Sequence, residues 1–193
     1  MYLEHQPEIE RYAKRSPEQM YNTLEFVIAT ANRHFSSVPH VLATKRGYSA
    51  TQLTSLAFLY EGRHMVYRSI LDRQHDEVDL LRYLVTLPYL GVVKAGFAAQ
   101  CITGQVGCID VWNRNAHGIA PSILRTPSPT ARPATITKNL TLYCAACKVI
   151  GGSARMWDRW CQYLADAYTP SGVYYPWRTA DEVSAFHVST CCR

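Results

Sequence analysis

Apolar residues recur at intervals of three and four along most of the chain, which is the spacing of one face of an α-helix. The first such stripe follows Ser16-Pro17, a helix-start pattern, and belongs to a helix predicted to run to about Phe35. Its members are Met20, Leu24, Val27, Ile28 and Ala31. No alternating apolar and polar stretch of useful length is present, and neither is an internal repeat. The pattern predicts an all-α fold, organised as one domain over residues 1–193.

Further helices are predicted on both sides of the centre of the chain. After a loop at 36–48, Ser49 and Gln52 form a capping-box pattern that starts the next helix. The apolar stripe of that helix comprises Leu53, Leu56, Ala57 and Tyr60. We also expect a short helix at 65–72 and later helices at 136–150, 154–168 and 179–187. Four prolines among Ser, Thr and Arg predict an irregular loop at about 120–135.

The centre of the chain is organised around a break between two helical stretches. Residues 76–84 carry apolar side chains at helical spacing, and residues 92–102 are almost wholly apolar. Between them, Pro88 removes a backbone donor and Gly91 accepts positive φ, so a tight hairpin is predicted at 87–91. A second turn then leads to Asp110, which stands where the N-cap of a short helix at 111–117 belongs.

These residues resemble the helix-hairpin-helix DNA glycosylase superfamily. Leu87, Pro88, Leu90, Gly91 and Ala95 match the hairpin pattern of that family, and Ile109-Asp110 match the position of its catalytic aspartate. The resemblance covers about residues 76–118, roughly a fifth of the chain, and some details are similar to uncharacterised bacteriophage relatives. It implies a helix-hairpin-helix unit, double-stranded DNA as partner, and Asp110 as the carboxylate that stabilises an oxocarbenium ion at the sugar of a flipped nucleotide.

Two positions depart from the family pattern. Tyr89 replaces the first hairpin glycine, whose backbone approaches a DNA phosphate, and Val93 stands where lyase-type members carry their Schiff-base lysine. Lys94 comes one residue late, and one residue on a helix turns a side chain by about 100°. Lys94 is therefore either a catalytic nucleophile or, as the one-residue shift favours, a phosphate contact or a lysine that extends to the surface.

The expected DNA contacts are to phosphates and carry little sequence information, because backbone amides and basic side chains supply them. The candidate DNA-binding residues are Pro88, Tyr89, Leu90, Gly91, Lys94, Asn113 and Arg114. Charge is uneven along the chain, with 9 basic and 10 acidic residues in 1–80 but 11 and 5 in 81–193. That asymmetry suits a polyanion on the side of the hairpin, although an ordinary basic surface has the same composition.

Composition narrows the compartment and the cofactors. The charged start of the chain does not read as a secretory signal, and no apolar run reaches the ~20 residues of a membrane span. Seven cysteines without small-domain spacing favour a reducing compartment, namely the cytoplasm, which is that of the host if the protein is of phage origin. A place in the virion stays open as a separate alternative. Cys144 and Cys147 are interpreted as buried thiols on one helical face, because the spacing of the later cysteines does not correspond to the iron–sulfur cluster of some glycosylases. No metal and no cofactor is expected.

Three functions remain open from the sequence. The first is a monofunctional DNA glycosylase with Asp110 as the only essential acid, and the second is an enzyme that modifies bases on the same scaffold. The third is a non-catalytic DNA-binding or virion-structural protein that keeps the fold. The departures at Tyr89 and Val93 favour the third, whereas the retained Asp110 favours the first two.

Overall fold

The computed structural model describes residues 2–31, 33, 37–153, 155 and 156, and over these ranges the chain is helical, without a strand. The all-α prediction is thereby confirmed. The α-helices are α1 (Tyr2–Ala13), α2 (Pro17–Ala29), α3 (Val38–Thr44), α4 (Ala50–Glu61), α5 (Arg63–Arg73), α6 (Glu77–Leu84), α7 (Val92–Thr103), α8 (Val111–His117) and α9 (Pro133–Ile150). A 3-10 helix spans Pro121–Leu124. None of the described helices has the length and apolar character needed to cross a bilayer.

Helix α7 lies at the centre of the core. It packs against α1, α2 and α6, and α9 packs on the other helix of the hairpin, α6. Almost every residue of α7 from Ala95 to Ile102 is buried, and many of these are small, so neighbouring helices can approach its backbone closely. Phe97 contacts Phe26 of α2 with ring centroids 5.9 Å apart. A side chain on the inner face of α7 therefore lies between α7 and a neighbouring helix.

The hairpin has the helix boundaries that the sequence predicts. Asp76 caps α6 by accepting hydrogen bonds from the Val78 and Asp79 amides at 2.9 and 3.0 Å, and Gly91 is the N-cap of α7. Between the helices, the Leu90 amide donates to the Leu87 carbonyl at 3.2 Å and closes a β-turn. Its third residue, Tyr89, has φ +68°, the left-handed conformation that glycine adopts most easily. Tyr89 thus adopts a backbone conformation that suits glycine, at the position where the resemblance leads us to expect one.

Two predictions in the first half of the chain are wrong. The loop expected at 36–48 contains α3, because Pro39 lies in its first turn, where a missing N–H costs little, and Lys45 ends it with φ +58°. The helix expected to reach about Phe35 ends at Ala29, where the Thr30 amide and hydroxyl turn back to the carbonyls of Phe26 and Val27. Helix α1 lies where no helix was predicted.

The side chains of α4 also depart from the predicted stripe. Leu53 and Tyr60 are about half exposed, at 47% and 51%, whereas the polar Gln52 is buried. Gln52 completes a capping box with Ser49 and donates its side-chain amide to the Ile28 carbonyl at 3.3 Å, so its polar atoms are satisfied inside.

The irregular loop at 120–135 is shorter than predicted, because it holds the 3-10 helix and because α9 begins at Pro133. The four residues expected inward on α9, namely Leu140, Tyr143, Cys144 and Cys147, are all buried. Both cysteines are unpaired thiols. The helix predicted at 154–168 lies almost wholly, and the one at 179–187 wholly, outside the described residues.

Candidate active site

Asp110 caps α8, as the sequence predicts. Its Oδ1 accepts a hydrogen bond from the Asn113 amide at 2.8 Å, and its own backbone is extended, with φ −74° and ψ −177°. The residue is half-buried and lies at the boundary between core and surface. The first turn of α8 holds its carboxylate there through the cap. A negative charge fixed in this way needs little reorganisation to interact with a positive charge beside it.

Lys94 is directed into the molecule. Its Nζ donates to Oγ1 of Thr30, at the end of α2, at 2.8 Å and lies 5.7 Å from the centre of the Phe97 ring. Burial lowers the pKa of the Lys94 amine, while Cys108, Asp110 and Cys101 act in the opposite direction. The shift of one residue from the family lysine therefore still leaves the amine within electrostatic reach of Asp110.

Two thiols complete the group around the amine. Cys101 lies two helical turns after Lys94 on α7, and Cys108 lies two residues before Asp110. Burial raises the pKa of Cys108 to about 12, with Lys94 lowering it and Asp110 raising it, and burial also raises the pKa of Cys101. Both thiols therefore stay protonated and uncharged near neutral pH, so neither places a negative charge near the Lys94 amine.

The segment before Asp110, residues 107–110 and here called the aspartate segment, is tied to three helices. The Tyr143 hydroxyl of α9 donates to the Gly107 carbonyl at 2.9 Å and accepts from the Ile109 amide at 3.0 Å. The amide of Cys108 donates to Gln100 Oε1 on α7 at 3.0 Å. Asn113 Nδ2 on α8 donates to the Cys108 carbonyl, also at 3.0 Å. Backbone groups on both sides of Cys108 are thereby satisfied inside the protein.

Asn113 and Arg114 have different surroundings. Asn113 is buried, and its side chain supports the aspartate segment. Arg114 directs Nε and Nη2 toward Oδ1 of its neighbour Asn115, at 3.1 and 2.8 Å, on the outer side of α8. Of these two predicted DNA contacts, Arg114 carries its guanidinium near the surface, whereas the Asn113 side chain is engaged in a hydrogen bond to the Cys108 carbonyl.

The hairpin contacts the loop that follows α8. The amide of Val92, in the first turn of α7, donates to Thr126 Oγ1 at 3.0 Å. A Cβ on Gly91 would lie 2.8 Å from the same oxygen, so glycine is required for this approach. Leu90 is buried, and Pro88 and Tyr89 are half-buried. An amide that the sequence assigns to a phosphate is therefore bound by a threonine hydroxyl.

Thr30, Cys101, Cys108, Gln100 and Tyr143 belong to the site without having been predicted from the sequence. The sequence contains a partial indication of two of them, since positions seven apart on a helix share a face and positions two apart in an extended segment point the same way. These rules place Cys101 with Lys94 and Cys108 with Asp110. Thr30 and Tyr143 come from distant helices, which no local rule identifies.

The site as a whole combines an amine, a carboxylate and two neutral thiols, contributed by α7 and by the segment before α8, against the end of α2. A carboxylate can stabilise a developing cation, and an amine with a lowered pKa can act as a nucleophile or base. Among the described residues, no group of His, Cys, Asp and Glu is arranged to hold a metal ion. Comparisons with protein families, with curated protein sequences and with solved structures found no match for this chain.

Proposed function

We propose that this chain is a helix-hairpin-helix DNA glycosylase-like protein that acts on a base of duplex DNA, by excision or by modification, with Asp110 at the reacting sugar. The observation that carries the proposal is the position of Asp110, an N-cap carboxylate within electrostatic reach of the half-buried Lys94 amine, one helix after a Leu-Pro-x-Leu-Gly hairpin. An N-cap alone is common. Its combination with an amine of lowered pKa is typical of sites that handle charge during a reaction.

In base excision, the bond between the sugar C1′ and the base nitrogen breaks and its electron pair leaves with the base. Positive charge then develops on the sugar, and the Asp110 carboxylate stabilises it. Water adds to C1′ and gives up a proton, which leaves an abasic site and the free base. The base must first leave the helical stack, since its glycosidic bond is otherwise inaccessible.

Lys94 gives this reaction a second route. A buried amine with a lowered pKa has a larger neutral fraction than an exposed lysine, and only the neutral amine can attack C1′ in place of water. The product would be a Schiff base between Lys94 and the opened sugar. Lys94 as a phosphate contact is disfavoured by its orientation, because its half-buried amine donates a hydrogen bond to Thr30 at the end of α2.

DNA contact is proposed for the hairpin and for Arg114, through phosphates. The hairpin supplies the start of α7, and Arg114 supplies a guanidinium on α8, the helix that Asp110 caps. A phosphate at the Val92 amide would have to replace the Thr126 hydroxyl there. Such contacts predict binding that depends steeply on salt and weakly on sequence.

The direct test is to incubate the protein with duplexes that carry different damaged or modified bases and to detect abasic sites. Each reaction is repeated with sodium borohydride, which reduces a Schiff base to a stable protein–DNA adduct. We expect abasic sites in one duplex class, lost in Asp110→Asn and retained in Asp76→Asn, a matched N-cap on α6. A trapped adduct that disappears in Lys94→Met but not in Lys138→Met, an exposed lysine of α9, would assign the lysine route. Duplex binding without base release or base modification on any substrate would instead indicate the non-catalytic DNA-binding protein.

A further inference from the structure

Tyr143 is buried on α9 and its hydroxyl touches the aspartate segment at two points. It donates to the Gly107 carbonyl at 2.9 Å and accepts from the Ile109 amide at 3.0 Å, so one oxygen bridges the residues on either side of Cys108. The side chain is wholly buried, and burial raises its pKa well above the usual value for tyrosine. The hydroxyl therefore keeps its proton and remains a hydrogen-bond donor at neutral pH.

Space for this hydroxyl is provided by a glycine of α7. A Cβ on Gly96 would lie 2.5 Å from Tyr143 Oη and 2.6 Å from the Gly107 carbonyl oxygen. No side chain larger than glycine fits without moving the hydroxyl or the aspartate segment. Tyr143 and Gly96 together set how closely this segment approaches α7, the helix that carries Lys94.

We propose that Tyr143 is a positioning residue, which through the Gly107 carbonyl and the Ile109 amide holds Asp110 at its place within electrostatic reach of the Lys94 amine. The inference rests on the proposed function of Asp110 and Lys94. Tyr143 is wholly buried, so it acts on the reaction through Asp110 and touches neither DNA nor the reacting sugar. Ties from Gln100 and Asn113 hold Cys108, and the Cys147 thiol contacts the Gly107 carbonyl at 3.6 Å. Without the Tyr143 hydroxyl, the Ile109 amide loses its hydrogen bond to α9 and the Gly107 carbonyl keeps the longer contact from the thiol.

The first readout is the pKa of the Lys94 amine, which needs no substrate. The chain has five lysines, so protein labelled with ¹³C at the lysine ε-carbon gives few signals, and the Lys94 signal is assigned by its loss in Lys94→Met. Asp110 raises the pKa of this amine, so Asp110→Asn lowers it and sets the full size of the shift. Tyr143→Phe, which removes only the hydroxyl, is expected to lower it in the same direction.

Matched variants separate positioning from general loosening. In Tyr67→Phe a tyrosine of α5 also loses a hydrogen bond to a backbone carbonyl, that of Lys14 at 2.8 Å, which does not belong to the aspartate segment, and the Lys94 pKa should stay at the parent value. Asn113→Ser releases the Cys108 carbonyl from the surface helix α8 and should lower the Lys94 pKa. This second variant keeps the test available if Tyr143→Phe does not fold.

The second readout is base release from the duplex that the parent cleaves. Tyr143→Phe should lower kcat roughly a hundredfold, as expected for a displaced catalytic group, with KM for the duplex unchanged. A Lys94 pKa that stays at the parent value in Tyr143→Phe, while Asp110→Asn lowers it, overturns the inference; if Tyr143→Phe does not fold, an unchanged Lys94 pKa in Asn113→Ser overturns it. If the parent releases no base from any duplex, the excision reaction fails, whereas the NMR comparison still decides whether Tyr143 places Asp110.

Discussion

Replacement of Lys94 by methionine is expected to stabilise the protein at neutral pH. Burial lowers the pKa of the Lys94 amine, which means that the charged amine is less favourable in the fold than in water, by about 1.4 kcal/mol for each pKa unit. Methionine fills a similar space without charge. Thr30, which accepts the hydrogen bond of the lysine in the parent, keeps a partner in the variant, because its hydroxyl donates to the Val27 carbonyl at 2.8 Å. Loss of the Lys94–Thr30 bond costs about 1 kcal/mol.

Relief of the buried charge is expected to outweigh that loss, so Lys94→Met should be more stable than the parent at pH 7. The pH dependence has a definite sign. The unfolded chain binds the lysine proton up to its ordinary pKa of 10.5, above the folded value, so the parent gains stability relative to the variant as pH approaches 10.5. The difference between the two proteins should therefore shrink toward alkaline pH.

Urea denaturation of both proteins at several pH values between 7 and 10.5 measures this difference, and effects common to both cancel. Lys138→Met, an exposed lysine on α9, serves as control and should have little effect. The reasoning is refuted if Lys94→Met is less stable than the parent at pH 7, or if the difference does not change with pH. Either result would mean that the amine contributes to stability as an ordinary structural group.

Three other predictions follow from the described contacts. Gly91→Ala should lower the free energy of unfolding by about 1 kcal/mol, because the new methyl group displaces Thr126 from the Val92 amide. In urea denaturation, the double variant Gly91→Ala/Thr126→Ala should be no less stable than Thr126→Ala alone. Losses of stability that add up in the double variant would contradict this contact. Stability should fall as pH rises above 9.0, because burial raises the pKa of four thiols, those of Cys101, Cys108, Cys144 and Cys147, and the unfolded chain releases their protons first. Four such groups outweigh the opposite effect of Lys94. Equal urea midpoints at pH 8 and 10 would argue against this prediction. Arg114→Ala should weaken DNA binding similarly on unrelated duplexes and reduce the slope of log affinity against log salt by about 1, whereas Lys94→Met should leave the affinity unchanged. Fluorescence anisotropy at several salt concentrations would measure both. A loss of affinity on one sequence alone would exclude a phosphate contact.

The sequence predicts the boundaries of the central helices well, because they are written in local chemistry. Asp76 and Asp110 are capping residues, and Gly104 and Gly118 take left-handed φ at helix ends, so α6, α7 and α8 begin and end within a residue or so of the predicted positions. Helix α1 could not be predicted in this way. It carries Pro7 in its interior, a residue that ordinarily breaks a helix, and it packs against α7 and α2, whose surfaces only the assembled fold provides.

The candidate site was predictable only in part, for a related reason. Asp110 follows from a local rule, the N-cap. The direction of Lys94 depends on Thr30, which lies 64 residues away and receives the hydrogen bond. A sequence pattern can give the position of Lys94 on α7, but the packing of α7 against α2 decides which groups surround its amine.

The measurement that tests the central claim most directly compares Asp110→Asn with Asp76→Asn. Both carboxylates cap helices, and asparagine is also a competent N-cap, so each variant should lose no more than about 1 kcal/mol of stability. Only Asp110→Asn removes the negative charge facing the reacting sugar, which should slow base release from the substrate duplex by roughly a hundredfold to a thousandfold. Asp76→Asn should release the base at the parent rate. An Asp110→Asn protein that keeps the parent rate would contradict the assignment of Asp110 as the catalytic carboxylate.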